Sequence, residues 1–128
     1  MATTKRDQAD IWFSKAVRLR DGSCQVCGTT ETLQCCHIFG RRMRILRWDL
    51  QNCITMCAAH HRYYTEQPVA WLDFLNQLLG EAHMDILREK SRGKLKTNKD
   101  LRSEIARHYR EEIKLKESDP EYQMVSWN

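Results

Sequence analysis

The sequence lacks a long hydrophobic run, internal repeats and low-complexity segments. Its longest apolar stretches fall far short of the roughly 20 residues that a membrane-spanning helix needs. The opening residues, MATTKRDQAD, carry charges with no apolar run behind them, so we expect no signal peptide and no membrane partner. These absences argue against a membrane protein and favour a cytoplasmic location.

The composition is that of a small globular protein. The chain has 128 residues, of which 41% are hydrophobic and 30% are charged, as expected for one domain with a helical extension. It also contains six cysteines. Because cytoplasmic thiols stay reduced, these cysteines indicate metal ligands rather than a disulfide framework.

The formal net charge of +4 is modest, but it is distributed unevenly along the chain. Residues 1–66 carry ten lysines and arginines against six acids, whereas residues 67–128 carry eleven of each. The surplus of positive charge suits a phosphate-binding surface, although a solvated basic face is common in proteins that bind nothing.

A Cys-x2-Cys pair followed by glycine is typical of a tight loop that directs two sulfurs at one ion. The later segment Cys-Ala-Ala-His supplies a second pair of ligands. Structural zinc contributes on the order of 10 kcal/mol of binding energy to folding, which suits a chain this short. We therefore predict a structural zinc ion bound by Cys24, Cys27, Cys57 and His60.

Two adjacent histidines have separate expected tasks on the helix that the chain enters at Cys57. Successive helical residues point about 100° apart, so His60 and His61 cannot easily bind the same ion. His60 lies three residues after Cys57, which suits the zinc. His61 is then available to face a groove beside His37.

His37 lies in a short apolar run, residues 33–39, that predicts a strand ending at Gly40. A second strand is predicted at residues 53–56. A lone histidine in a strand is more often structural, but beside a phosphate-binding cluster it can act as a general base. The remaining cysteines are expected to pack in the core as small apolar residues; they are Cys35, Cys36 and Cys53.

A dense arginine cluster follows the first strand, with no acid among residues 41–47. Each guanidinium can bind a phosphate through two parallel hydrogen bonds. A solvated loop is the alternative, but the density of the cluster favours phosphate contact. The predicted contacts are Arg41, Arg42, Arg44 and Arg47.

Apolar residues at helical spacing predict helices at residues 7–20, 69–79 and 81–89. Residues 88–99 hold six basic residues and one acid, and we expect a flexible basic linker there. A last helix, capped by Asn98, is predicted to run to about residue 117.

The last helix has a narrow apolar stripe, which leaves three arrangements open. It could pack on the core, pair with a second subunit, or lie along DNA. The chain's apolar tail is expected to dock on the protein. The stripe consists of Leu101, Ile105, Tyr109 and Ile113.

The strand histidine, a later asparagine and the helix histidine together resemble the HNH, or ββα-metal, endonuclease pattern. Its three signature positions match His37, Asn52 and His61. The segments FSKAVRLRDGSCQVCG, LQCCHIFGRR, LRWDLQN and MCAAHHRYYTEQP are similar to the bacteriophage Rap (NinG) recombination endonucleases, which act on junctions and branched DNA. The resemblance covers roughly residues 7–80.

The resemblance implies an α+β fold in two parts. Residues 1–80 form a zinc-stabilised ββα-metal (HNH) nuclease core with an N-terminal helix, and residues 81–128 form a C-terminal helical extension and tail. In this pattern His37 is the base that activates water, Asn52 holds the loop and the base in place, and His61 binds a catalytic Mg²⁺ or Mn²⁺. That ion stabilises charge on the scissile phosphate and the departing 3′ oxygen. The implied products are a 5′ phosphate and a 3′ hydroxyl.

The residue before the base departs from the pattern. Many HNH enzymes place Asp, Glu or His there as a second metal ligand, whereas this chain has Cys36, a poor ligand for Mg²⁺. Either another group such as Asp49 supplies the oxygen, or the ion is held by His61, water and phosphate.

We therefore predict a metal-dependent DNA endonuclease directed at branched recombination intermediates such as Holliday junctions and D-loops. The alternative, which Cys36 favours, is a zinc-stabilised DNA-binding module without catalytic activity. A four-way junction is close to two-fold symmetric, so we also predict a homodimer, with the apolar stripe of the last helix as its interface. If the chain is phage-encoded, it acts in the cytoplasm of a bacterial host.

Overall fold

The computed structural model describes residues 5–128, so the first four residues of the MATTKRDQAD segment lie outside it. The predicted mixture of helices with a small sheet is confirmed. No helix in this range is both long and apolar enough to span a membrane. In chain order the elements are α1 (Gln8–Asp21), β1 (Leu33–His37), α2 (Arg44–Arg47), a 3₁₀ turn (Leu50–Asn52), β2 (Cys53–Cys57), α3 (Ala58–Glu66), α4 (Pro68–Leu79), α5 (Glu81–Ser91) and α6 (Lys99–Ser118).

The two strands form an antiparallel hairpin in which His37 lies opposite Cys53. Residues on alternate sides of β1 enter different cores, because successive strand side chains point to opposite faces. Cys35 packs on the core that contains α1, and Cys36 is buried in the other core. The strand ends two residues before the predicted limit, because the amide of Phe39 donates to the Asn52 side chain instead of continuing the ladder.

Helix α1 begins and ends where its local signals predict. Asp7 and Asp10 form a capping box, each side chain accepting from the other residue's backbone N–H. Gly22 ends the helix in the left-handed conformation at φ +73°, which a residue with a Cβ rarely adopts. The buried face of α1 meets α6; it consists of Ala9, Phe13, Ala16 and Val17.

Helix α6 folds back on α1, which is the first of the three arrangements left open. Its predicted cap is confirmed, since Asn98 Oδ1 accepts from the amide of Leu101 at 2.7 Å. Ile105 and Tyr109 are fully buried in the core that α6 shares with α1. The prediction that this stripe forms a dimer interface is therefore wrong, because the stripe is already covered within the chain.

The C-terminal tail docks on the same side of the molecule, as predicted. The amide of Val125 donates to the Glu112 carboxylate at 2.7 Å, and the Ser126 hydroxyl accepts from the amide of Leu50 at 3.0 Å. Met124 and Trp127 pack against the core of α1 and α6. Both predicted segments contribute to this core, and their division at residue 80 stays a prediction.

A second core lies on the other face of the hairpin, between β1, β2, α4 and α5. Helix α5 runs to Ser91, so it includes the start of the predicted linker. The rest of that linker lies beside α2 and the loop that precedes it. A Cβ at Gly93 would lie 2.7 Å from Cδ1 of Ile45, which explains a glycine at the point of closest approach.

Candidate functional site

The first candidate site is a cluster of three thiols and an imidazole at one end of the hairpin. The ligand atoms of Cys24, Cys27, Cys57 and His60 all lie within 4.8 Å of one another. His60 Nδ1 lies 3.2 Å from the sulfur of Cys57 and 3.9 Å from that of Cys24. This donor set fits the tetrahedral coordination of a structural zinc site, so these four residues could hold a zinc ion.

Local geometry prepares the first pair of ligands. The amide of Gly28 donates to the Cys24 carbonyl at 2.9 Å, and Gly28 adopts φ +77°, which closes a tight turn around the pair. Burial raises the pKa of the Cys24 thiol, but backbone amides of Cys27, Cys57 and Val26 more than offset it and lower that pKa to about 6. Cys24 therefore presents a thiolate near neutral pH, which is the form that binds metals.

The second candidate site centres on His37, at the last position of β1. Its Nε2 lies 2.9 Å from the backbone carbonyl of Arg47. A carbonyl only accepts, so Nε2 carries the hydrogen, and Nδ1 holds the lone pair of the neutral ring. Burial lowers the pKa of His37 below 6.5, and the charges of Arg41 and Arg47 act in the same direction. The ring is therefore neutral at neutral pH and able to take a proton.

Asn52 fixes the loop that carries the arginines. It is fully buried, and its Oδ1 accepts from the amide of Phe39 at 2.9 Å. Its Nδ2 donates to the carbonyls of Phe39 and Leu46, at 2.9 and 3.0 Å. One amide side chain thus connects the end of β1 to α2, whose last carbonyl, that of Arg47, holds His37.

His61 lies across a small cavity from His37. The cavity, of about 160 Å³, also has Cys36, Thr65 and Trp71 in its wall. His61 Nδ1 lies 2.6 Å from Oε1 of Gln34, and an amide oxygen only accepts, so the lone pair of this neutral ring is on Nε2. Burial, and then the charge of Arg6, lower the pKa of His61.

Gln34 is a site residue that sequence reasoning missed. It precedes Cys36 by two residues and so points to the same face of β1, toward α3. Its contact with His61 depends on a partner 27 positions away in sequence. The alternation of a strand gives the face that Gln34 occupies, but nothing local indicates that contact.

Cys36 does not offer a ligand to a hard cation. Burial raises the pKa of its thiol to about 12, so the sulfur stays protonated at neutral pH. Asp49, the suggested replacement, is not brought to the cavity. It is buried, forms an ion pair with Lys90, and accepts from the amide of Gln51 at 2.9 Å.

The structure separates the four arginines into different environments. Arg42 and Arg44 are exposed, and Arg41 is half-buried beside Asp10, 3.2 Å from its carboxylate. Arg47 is only 5% exposed and donates hydrogen bonds to both carboxylate oxygens of Asp10, at 2.9 and 2.6 Å. Its guanidinium thus faces the protein interior, while its carbonyl positions His37.

Asp10 is the second site residue that sequence reasoning missed, because in the sequence its carboxylate indicates only a helix cap. Burial raises its pKa, but the hydrogen bonds from Arg47 and from the amide of Asp7, together with the charges of Arg47 and Arg41, lower it to about 2. Trp48 Nε1 donates a further hydrogen bond to the same carboxylate at 3.1 Å. Asp10 therefore anchors the arginine loop to α1.

A basic cleft of about 660 Å³ opens between this loop and the segment after α5. We call it the basic cleft, and no acidic residue is among the described residues that line it. Such a concentration of one charge attracts polyanions. The cationic residues that line it are Arg41, Arg42, Arg44, Arg47, Arg92, Lys94 and Lys96.

Comparison with known proteins gives one finding. Residues 24–67 match the family model of the HNH endonucleases. No curated protein and no solved structure matches the chain. The matched stretch runs from Cys24, the first residue of the cluster of three thiols and an imidazole, through the end of α3. It includes His37, Asn52 and His61. At the family level, this similarity supports a nuclease that acts on DNA.

Proposed function

We propose that this chain is a metal-dependent DNA endonuclease whose active centre is the cavity between His37 and His61. The observation that carries the proposal is the pair of hydrogen bonds that set the two ring tautomers. They leave a lone pair on Nδ1 of His37 and on Nε2 of His61. One lone pair suits a general base, and the other suits a metal ligand.

In the proposed reaction, His37 Nδ1 takes a proton from water, and the resulting hydroxide attacks the phosphorus atom. The bond from phosphorus to the 3′ oxygen breaks, which leaves a 5′ phosphate and a 3′ hydroxyl protonated by solvent. The Arg47 carbonyl accepts from Nε2–H throughout and stabilises the positive charge that the ring gains. Asn52 keeps this carbonyl in place by holding the loop.

The catalytic ion has few protein ligands. A divalent ion held by His61 would supply positive charge that stabilises the scissile phosphate and the leaving oxygen. The described residues that line the cavity include no carboxylate, and Mg²⁺ prefers oxygen ligands in octahedral geometry. His61 would therefore be the protein ligand to Mg²⁺ or Mn²⁺ in this cavity, and water and the DNA phosphate would supply the oxygen ligands that such an ion prefers.

The second ion in the proposal is structural zinc. Cys24, Cys27, Cys57 and His60 form a closed four-ligand set, which leaves no position for a substrate. The site connects the Cys-x2-Cys turn to the end of β2 and the start of α3, and so completes the ββα-metal core that the family similarity implies. A reducing compartment such as the cytoplasm keeps these thiols available.

The proposed DNA-binding surface is the basic cleft. Arg44 and Lys94 lie on its two walls, so a phosphate backbone in the cleft meets positive charge from both sides. Branched DNA is the proposed substrate, on the resemblance to the phage recombination endonucleases. A homodimer stays part of the proposal because a four-way junction presents two matched sites, but its interface must lie outside the buried stripe of α6.

A DNA-binding module without catalysis is the competing function. The observation that favours it is that the described residues lining the cavity between His37 and His61 include no carboxylate, while the thiol of Cys36 stays protonated. Both functions predict zinc and DNA binding, so neither measurement separates them. Cleavage does.

The deciding experiment incubates purified protein with a Holliday junction, a three-way junction, a D-loop and linear duplex of matched sequence. Each substrate is tested with Mg²⁺, Mn²⁺ and EDTA. We expect metal-dependent nicking, fastest on branched DNA, with ligatable 5′-phosphate ends. Binding to all substrates without cleavage under any metal would instead establish the binding module.

A further inference from the structure

A second group of metal-binding side chains lies on the α1 side of the hairpin. One ligand atom each from Cys35, His37 and Cys53 lies within 4.8 Å of the other two, the same spacing that defines the four-ligand cluster. The function proposed above uses only His37 of these three. The two cysteines are predicted to be core residues, and that role leaves unexplained why both sulfurs meet a histidine.

The register of the hairpin brings these side chains together. Ile38 donates to the Asn52 carbonyl at 2.8 Å, so the next pair along, His37 and Cys53, is of the non-hydrogen-bonded kind with the closer side chains. Cys35 lies two residues before His37 and therefore points to the same face. The strands thus fix three donors on one side without any loop rearrangement.

A metal ion at this position would have to displace the thiol protons. Burial raises the pKa of the Cys53 thiol well above its usual range, and the neighbouring Cys35 side chain acts in the same direction, so metal binding would release these protons. Cys53 is buried, whereas Cys35 and His37 are half-buried, so the group opens toward solvent on one side. Two thiolates neutralise a divalent ion, so the filled site places no net charge in the core.

We propose that Cys35, His37 and Cys53 form a second, inhibitory site for a thiophilic divalent ion such as Zn²⁺. Two sulfurs and one imidazole are the ligands that such an ion selects, and water occupies its fourth position. Binding uses the lone pair of the His37 ring, so the ring can no longer take a proton from water. The inhibition rests on the proposed nuclease function, but the binding does not.

The binding is tested with Cd²⁺ alone as the probe, followed by the ultraviolet absorbance of sulfur-to-cadmium charge transfer. Folded, reduced protein that keeps its structural zinc should hold about two metal equivalents in total, one at each cysteine-containing site. Cys35→Ser should hold about one. The matched control is Cys36→Ser, since its thiol points to the opposite face of the same strand, and it should keep both equivalents.

Three results would overturn the proposed site. One is a total of a single equivalent in the unaltered chain. Another is equal loss of the second equivalent in Cys35→Ser and Cys36→Ser. The third is a Cys35–Cys53 disulfide in the freshly purified protein, detected by mass spectrometry, that persists in place of metal under mild reductant.

The inhibition is tested separately on DNA cleavage. Excess Zn²⁺ should slow cleavage by the unaltered chain by at least about tenfold, because the base is then blocked, and Cys35→Ser should relieve most of that loss. Equal inhibition of both proteins would refute the inhibitory role. If no protein cleaves DNA, the nuclease proposal fails, while the two-equivalent total still decides the metal site.

Discussion

At the residue scale, two histidines that line the same cavity receive different tasks from their hydrogen-bond acceptors. His37 donates from Nε2 to a backbone carbonyl, and His61 donates from Nδ1 to the Gln34 amide. Each acceptor determines which nitrogen keeps its lone pair. The chemistry proposed for each ring therefore depends on its acceptor as well as on the ring itself.

The pH dependence of cleavage follows from the pKa of His37. The base must be neutral to act, and burial lowers its pKa below 6.5. The neutral fraction therefore rises with pH and is complete at a lower pH than for an unperturbed histidine. We expect single-turnover rates to rise with pH to a midpoint below 6.5 and then to level off. A midpoint clearly above 6.5 would contradict this assignment.

Gln34 should act as a positioning residue for His61. Gln34→Ala removes the acceptor of Nδ1–H, and such losses typically weaken metal affinity by about 10- to 100-fold. The Mn²⁺ concentration for half-maximal cleavage should rise accordingly, with zinc content and thermal stability unchanged. Gln34→Glu keeps an oxygen acceptor and should retain most of the affinity. The control is Gln123→Ala in the tail; an equal shift in that variant would refute the role of Gln34.

At the element scale, the arginine loop combines a DNA-facing side with an anchored side. Arg44 is exposed on one wall of the basic cleft, whereas Arg47 is buried on Asp10. The two residues lie one turn apart on α2 and so on the same side of the helix. The contact with Asp10 directs the Arg47 guanidinium inward, while that of Arg44 stays exposed. Their substitution should therefore have different consequences.

Arg44→Ala should weaken DNA binding and lower the slope of log affinity against log salt by about one unit, with no loss of stability. Arg47→Ala should instead destabilise the fold by about 3 kcal/mol, because the buried Asp10 carboxylate loses both hydrogen bonds from the Arg47 guanidinium and keeps only Arg41 as a charged partner. Salt titrations and denaturant unfolding measure the two effects. Arg107 on α6 is exposed and lies outside the cleft, so an equal change of slope in Arg107→Ala would place the DNA elsewhere.

The elements that were predictable from sequence are those with local signals. Apolar spacing and the Asn98 cap lie within or beside their own helices, and the helices form where these signals place them. Helix α2 was not predicted. It is four residues long, and its Arg47 is buried by an acid 37 positions away.

The same distinction holds for the candidate site. The four-ligand cluster was predictable because metal-ligand spacing is a local pattern, and the structure brings those four residues together. The contact between Gln34 and His61 requires the hairpin and α3 to be in place first. The sequence alone likewise did not determine which surface α6 packs on, because its apolar stripe fits any apolar surface.

At the scale of the whole molecule, two cores meet at the hairpin. One contains α1, α6 and the tail, and the other contains α4, α5 and the opposite face of the strands. The four-ligand cluster borders the second core, to which Cys24 and Cys57 both contribute. The stability of that half should therefore depend on metal.

Cys57→Ser should destabilise the whole fold, since structural zinc contributes on the order of 10 kcal/mol of binding energy. Dialysed, unaltered protein should retain about one zinc ion per chain, bound at the closed four-ligand site. Elemental analysis and thermal unfolding with and without a strong chelator measure both. The structural role would be refuted if the folded protein contained no zinc and its unfolding temperature were the same with and without the chelator.

The central claim, that His37 is the base of a DNA-cleaving site, is tested most directly by comparing His37→Ala with the unaltered chain. Both proteins are matched for zinc content and assayed on the same branched DNA with Mn²⁺, for binding and for single-turnover cleavage. We predict unchanged binding and a cleavage rate reduced by about 10²- to 10⁴-fold, the usual contribution of a positioned base. Cleavage by His37→Ala at the rate of the unaltered chain would contradict the account.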